Sequence, residues 1–265
     1  MTRWLRIALL CAWAAGCAAA HAASVQLEEL TWTELRDRIA AGTTTVLVPI
    51  GGTEQNGPHM TLGKHNVRVK ALAARIAERL GNAVVAPVLA YVPEGTIDPP
   101  TLHMRYAGTI SIPDAAFEST LEGAARSLRR HGLREVVFLG DHGGYRASLD
   151  RVSAKLNREW GPAARVHALP EYYRAAQDDF AKALEARGFA KGEIGPHAGL
   201  ADTALTLALD PSQVHMDVAA ARPRGAQDGV AGDPRRATAD LGRPGVEHIV
   251  EASVMAIRAR ASKPK

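Results

Sequence analysis

The chain has two cysteines, Cys11 and Cys17, and both lie within its first 17 residues. Without that segment no thiol remains, which excludes disulfides and thiolate chemistry and leaves nitrogen and oxygen donors for any metal. Aromatic residues make up only 5% of the sequence, and the formal net charge is +4, of which Arg3 and Arg6 supply two charges. Neither a stacking platform nor a basic surface for nucleic acid is on offer. No apolar run reaches the roughly 20 residues that a membrane span needs. Internal repeats, low-complexity tracts and interdomain linkers are also missing.

The sequence does have a leader. Arg3 and Arg6 precede the apolar run Ile7 to Ala15, and Ala20-His21-Ala22 offers a small-x-small cleavage site. We read residues 1–22 or 1–23 as a secretory signal peptide, which places the protein in the periplasm or outside the cell. Ala14-Ala15-Gly16-Cys17 weakly resembles a lipoprotein box, but the leucine three residues before the cysteine is missing, so anchoring through Cys17 is the minor alternative. Residues 24–265 then form the folded part, and 46% apolar with 23% charged residues is ordinary for a globular chain.

Strand and helix patterns alternate through that part. Thr31-Trp32-Thr33-Glu34 has capping-box spacing before an amphipathic helix over Trp32 to Ala41. The run Thr45 to Ile50 reads as a buried strand, Val67 to Leu80 as a helix and Ala83 to Leu89 as a second strand. Tyr91 to Pro113, with its prolines and glycines, reads as a long loop over the functional edge. A helix over Pro113 to Arg130, a strand over Glu135 to Leu139 and a helix over Arg146 to Trp160 follow. Beyond them the patterns give a strand over Arg165 to Leu169, a helix over Glu171 to Arg187 and another over Asp202 to Leu209. Arg222 to Gly245 reads as ordered loop and Val246 to Arg260 as the closing helix. This alternation predicts a single α/β domain with a mostly parallel sheet.

The chemistry gathers at strand ends. Thr45 to Ile50 stops at Gly51-Gly52, and the next 14 residues bring Glu54, Asn56, His59 and His65. Open parallel sheets place ligand sites where strand carboxyl ends meet loops. On spacing alone, a glycine-rich turn with polar decoration is the better reading of this stretch. His142 follows a second strand in Gly140-Asp141-His142-Gly143-Gly144. His197 lies in Gly195-Pro196-His197-Ala198-Gly199 at a helix start, with Asp202 about one turn in. His131, His167, His215 and His248 lack acidic or imidazole neighbours at ligand spacing and read as surface or packing residues.

Gly51-Gly52-Thr53-Glu54-Gln55-Asn56-Gly57-Pro58-His59 resembles the motif G-S-x-E-Q-H-G-P-H of the creatininase (creatinine amidohydrolase) family. Leu62-Gly63-Lys64-His65 sits where that family has L-G-x-D. Gly108-Thr109-Ile110-Ser111, His142-Gly143-Gly144, His197-Ala198-Gly199 with Asp202-Thr203, and Gly232-Asp233-Pro234 with Ala237-Thr238-Ala239 follow in family order over roughly residues 43–260.

The resemblance implies a three-layer α/β/α fold and a metal-dependent hydrolase of small, sometimes cyclic, amides, often oligomeric. It assigns Glu54 and His142 to metal ligation and His197 to acid or base chemistry. It places His65 where an aspartate bridges two metals, and Asp202 where the family has a glutamate. Asn56 replaces a ligand histidine, and Gly144 stands where creatininase itself has a ligand glutamate. Losing those donors leaves Glu54, His65 and His142 as a one-metal set, for zinc first and manganese second. Asp202 is expected to orient His197 or to complete the metal shell. His59 and Asp141 are candidates for support and His103 for substrate contact. Asp141 neighbours His142 in sequence, but adjacent strand residues point to opposite faces, which argues against a shared ligand role.

The expected partner is a small-molecule substrate, with no nucleic acid, no membrane span after signal cleavage, and self-association as the family suggests. The competing expectation, from the altered positions 56, 65 and 144, is a protein that has lost hydrolysis and binds a small molecule or a partner. A metal-free hydrolase using Ser111 or Ser148 is the weakest reading, since neither serine sits in a nucleophile elbow.

Overall fold

A computed structural model describes residues 24–220 and 225–261; the expected signal peptide, with Cys11 and Cys17, lies outside the described residues. Four parallel strands, β1 (Thr45–Ile50), β2 (Ala83–Val85), β3 (Glu135–Gly140) and β4 (Arg165–Ala168), pair in the order β2-β1-β3-β4. The helices are α1 (Trp32–Ala40), α2 (Lys64–Leu80), α3 (Asp114–Arg130), α4 (Arg146–Trp160), α5 (Pro170–Arg174), α6 (Phe180–Ala186), α7 (Lys191–Ile194), α8 (Leu200–Leu209), α9 (Met216–Ala220) and α10 (Ala239–Ala261).

Both faces of the sheet are covered, as a parallel sheet of continuous apolar strands requires. On one face Leu47, Val85, Val137 and Leu139 pack with Leu72 and Ile76 of α2, Leu205 of α8 and Ile249 of α10. On the other, Val46, Val48, Ile50, Val136 and Phe138 meet Phe117 and Leu121 of α3 and Val152 and Leu156 of α4. The result is the three-layer α/β/α arrangement. No helix of the described residues is long and apolar enough to cross a membrane.

The main expected elements hold, and three of the departures from them have a clear local cause. β2 stops at Val85 rather than Leu89. Pro87 has no N–H to continue the ladder, and the chain rejoins β1 only where Leu89 N–H reaches Pro49 O at 3.0 Å. The stretch Glu171 to Arg187 is interrupted by a π-turn at Ala175–Asp179. The third departure is α10, which starts at Ala239 inside the expected loop and carries Pro244. A Cβ at Gly242 would overlap the Ala204 carbonyl, and one at Gly245 would press on the Phe180 ring. Those glycines serve close helix packing rather than a turn.

The strand order fixes the site. The chain steps from β1 outward to β2, then returns past β1 to β3 and β4. The crevice beyond the carboxyl ends of β1 and β3 is therefore the topological switch point, where ligands of such sheets bind.

Candidate active site

Ile50 and Gly140 are register partners, so the segments leaving β1 and β3 start side by side. Tyr145 ties them together. Its hydroxyl lies 2.7 Å from Ile50 O and 2.8 Å from Gly51 O, and the amides of Asp141 and His142 each donate to it at 3.1 Å. That knot sets the backbone of His142 against the loop that carries Glu54.

α2 begins at Lys64 after the N-cap Gly63, three residues earlier than the apolar pattern indicates. Lys64 and His65 are therefore first-turn helix residues with Arg68 one turn on, and all three are buried against the site. Arg68 donates to Asp141 Oδ2 at 2.9 Å and to Asp202 Oδ1 at 2.7 Å; Lys64 donates to Asp202 Oδ2 at 2.9 Å. Tyr172 donates to the other Asp141 oxygen at 2.6 Å. Burial raises both aspartic acids, but Lys64 and Arg68 beside Asp202, and Arg68 and His65 beside Asp141, outweigh it and hold both carboxyls below the usual range. Asp202 also accepts from the Ala198 amide at 2.9 Å, steadying a turn in which Ala198 adopts φ 54°.

These contacts relocate several expected site residues. His65 has both ring nitrogens against carboxylates, Nε2 at 2.7 Å from Glu54 Oε1 and Nδ1 at 2.6 Å from Asp141 Oδ2. A metal at His65 would have to displace one of them. Asp202 makes no hydrogen bond to His197 and holds Lys64 and Arg68 instead. Asn56 braces the turn, donating to Glu54 O at 2.9 Å and Thr61 O at 3.0 Å. His59 lies under α8, 3.1 Å from Thr203 Oγ1, and burial pushes it down to about 4. Ser111 donates to Gly95 O at 2.7 Å, and Ser148 accepts from Arg151 at 2.8 Å; neither contact supplies a base that would activate the hydroxyl.

Beside this satisfied network lies an unsatisfied one. Glu54 Oε2 and both oxygens of Glu94 are buried without a hydrogen-bond partner. Glu94 comes from the long loop, which is pinned at its base where the Glu94 amide donates to Ser111 Oγ at 3.0 Å. Gly52, at φ 155°, leaves the space that the Glu94 carboxylate enters. The same loop delivers His103, whose Nε2 is 3.2 Å from Glu54 Oε2. His142 Nε2 is 3.5 Å from Glu54 Oε2, and its Nδ1 is 3.5 Å from Glu94 Oε2. Glu54, Glu94, His103 and His142 offer four donor atoms, all within 4.8 Å of one another.

The environment separates the two glutamates. Burial pushes both up, but His65, His142 and Lys64 hold Glu54 well below the carboxylate range. Glu94 is driven to about 9 by burial and by the charge of Glu54. Burial pushes His142 down to about 3 against the pull of Glu54. His197 falls to about 4 through burial and the Lys64 charge, so it is neutral at pH 7 rather than poised near it. A cavity of about 420 Å³, lined by His65, His103, Tyr106, His142, Tyr173 and His197, opens on one side of the His103 and His142 rings. A second of about 760 Å³, lined by Glu94, Asp98, Ser111 and Asp114, opens on the other.

Of the residues singled out in the sequence, the structure brings Glu54, His142, His103 and His197 together; beside them stand Glu94, Lys64, Arg68 and Gln55, which the sequence did not single out. An N-cap at Gly63 would have put Lys64 and Arg68, four residues apart, on one helix face with His65. Nothing local marks Glu94.

Comparison with known proteins gives a consistent relationship. The family model described as "Creatininase: Creatinine amidohydrolase" matches residues 28–257. The creatinine amidohydrolase of Pseudomonas putida is 31% identical over 200 residues, covering 73% of this chain and 75% of the relative. The mycofactocin precursor peptide peptidase of Mycolicibacterium smegmatis is 31% identical over 220 residues, covering 74% and 77%. Among solved structures, the manganese form of creatininase superposes with TM-score 0.71 at 28% identity, over 91% of this chain and 100% of its own. A mutant creatininase in a Zn-Zn form gives TM-score 0.73 at 28% identity, over 91% and 99%.

Proposed function

This chain belongs to the creatininase family, and from that premise we propose that it is an exported, metal-dependent amidohydrolase. It cleaves the C–N bond of a small amide, open or cyclic. The observation that carries the reading is the orphaned pair of buried carboxylates. Leaving one such group unpaired costs about 1–3 kcal/mol or more, and here three buried oxygens of Glu54 and Glu94 have no hydrogen-bond partner, with Glu54 Oε2 and Glu94 Oε2 lying 3.2 to 3.5 Å from the nitrogens of two imidazoles. A divalent cation satisfies that donor set, and zinc or manganese suits mixed imidazole and carboxylate ligands.

Glu54, Glu94 and His142 hold the ion, with His103 beside them. His65 does not join them, because both its ring nitrogens are engaged. The set thus supports one ion, where a bridging carboxylate would be needed for two. When bound, the ion supplies a Lewis acid that polarises a carbonyl and acidifies water.

The chain's own residues do the rest. His197 donates from Nε2 to Gln55 O at 3.0 Å, which leaves a lone pair on Nδ1, 3.8 Å from Glu54 Oε1. Being neutral at pH 7, it accepts a proton at Nδ1 from the attacking water and returns it to the departing nitrogen. Lys64 and Arg68 keep Asp202 and Asp141 ionised and fixed, so the cleft walls stay in place. The leader and its Arg3, Arg6 and apolar run support export.

The test is elemental analysis of the purified chain after loading with zinc or manganese, together with an amide panel assayed with and without chelator. One equivalent per chain and chelator-sensitive hydrolysis are expected. Two equivalents would reject the one-ion site, and none would favour the non-catalytic binding protein.

A further inference from the structure

The four potential donors differ in what their hydrogen bonds allow, and Gln55 decides the difference. Its side-chain amide is oriented by two backbone groups. Oε1 accepts from the Gly57 amide at 3.0 Å, and Nε2 donates to Gly229 O at 3.1 Å. Flipping the amide would set donor against donor at Gly57 and acceptor against acceptor at Gly229. The NH₂ group therefore stays where it is, with two hydrogens to give.

One goes to Gly229 O. Two imidazole nitrogens compete for the other, His103 Nδ1 at 3.1 Å and His197 Nε2 at 3.0 Å. His197 Nε2 also lies 3.0 Å from the Gln55 carbonyl, which can only accept, so His197 is a donor there. The remaining hydrogen belongs to His103 Nδ1. A proton on His103 Nδ1 would instead point at an NH₂ group 3.1 Å away. His103 consequently carries its proton on Nε2, the nitrogen that faces Glu54 Oε2 at 3.2 Å.

His142 is not bound in this way. Its Nδ1 has a donor, the Gly144 amide at 3.2 Å, and an acceptor, Glu94 Oε2 at 3.5 Å. Here Nδ1 accepts from the Gly144 amide while Glu94 Oε2 has no partner, so moving the proton to Nδ1 gives up the Gly144 bond, gives Glu94 a donor and frees the Nε2 lone pair.

We propose that Gln55 is a positioning residue that fixes the proton of His103 on Nε2, so that His103 donates a hydrogen bond to the substrate's carbonyl oxygen and is not a metal ligand. The donor role rests on the amidohydrolase reading; the tautomer does not. His103 lines both chambers, so a carbonyl oxygen that enters either can take over the Nε2–H that faces Glu54 Oε2 here. A donor held in advance at a developing oxyanion stabilises charge without reorganising.

Long-range proton–nitrogen correlation spectra of the full chain, histidine-labelled, without and with zinc, test the assignment, with His103 identified by its loss in His103→Gln. Protonated Nε2 and bare Nδ1 are expected in both states; a proton on Nδ1 in either overturns the proposal. In zinc calorimetry, His103→Gln should bind within about threefold of the parent, whereas His142→Gln should weaken binding about tenfold or more. A tenfold loss in His103→Gln also overturns it.

Gln55→Glu offers only acceptors, so the proton should move to Nδ1 and zinc binding should tighten. If that variant does not fold, Gln55→Met should yield a tautomer mixture. An unchanged Nε2 proton in the folded variant rejects the role of Gln55. Should the parent bind no zinc, the metal reading fails and the zinc-free spectra alone decide this proposal.

Discussion

Two polar clusters sit a few ångströms apart beyond the ends of β1 and β3, and they are built on opposite rules. In one, Asp141 and Asp202 meet Lys64, Arg68 and Tyr172, and each carboxylate oxygen is taken. In the other, Glu54 and Glu94 keep three buried oxygens without a donor. Glu54 belongs to both, giving Oε1 to His65 and leaving Oε2 bare. A satisfied buried network holds a shape, while the unsatisfied one beside it is where the proposed ion would sit. The rigid half thus aims the reactive half.

The sharpest way to break the contrast is Arg68→Met. It leaves Asp141 short of one partner and Asp202 of another in a dry interior, and should cost about 3–5 kcal/mol of stability by urea unfolding. A loss below about 1 kcal/mol would mean that the cluster is not tightly held. Next comes His197→Ala, which should reduce hydrolysis about 10²–10⁴-fold and leave zinc content unchanged. Loss of the metal along with activity would move His197 into the ligand set.

A smaller and more diagnostic effect concerns pH. Without metal, folded Glu94 keeps its proton up to about 9, whereas the unfolded chain gives it up near 4.5. The native state then binds more protons than the unfolded state across that window, so this contribution falls as pH rises from about 5 to 9. Glu94→Gln should flatten that slope in unfolding midpoints taken at about pH 6 and about pH 8, and zinc should do the same in the parent. An unaltered slope in the variant would assign the dependence elsewhere. Smallest of all should be Arg79→Ala. Its pair with Glu247 at 2.9 Å is half exposed, and a change of no more than about 0.5 kcal/mol is expected.

Much of the frame is legible in the residue pattern. Thr45–Ile50 and Arg146–Trp160 have the spans their periodicity implies, and the Thr31 and Glu34 capping box forms. Boundaries fail where a residue without a side-chain signal acts. Gly63 caps α2 with no cap hydrogen bond, which hides that Lys64 and His65 are helical. The site is half legible for a related reason. Glu54 and His142 follow strands and can be placed by topology, whereas Glu94 reaches them only because a 23-residue excursion folds back. No local rule predicts that return, since it depends on contacts far apart in sequence. His65 illustrates a further limit: its position in the motif is informative, but its role depends on Asp141, 76 residues away.

The excursion between Tyr91 and Pro113 closes on itself at its neck, where Val92 bridges Ser111 and the Ser111 hydroxyl spans the Glu94 amide and the Gly95 carbonyl. Because the neck is sealed, its tip can change length and composition without disturbing the sheet beneath. Thr109 and Ile110 hold the Glu54 loop through Gln55 and Thr53, so a new insert confined to the tip around His103 would reshape both chambers and leave the presentation of Glu54 and His142 in place.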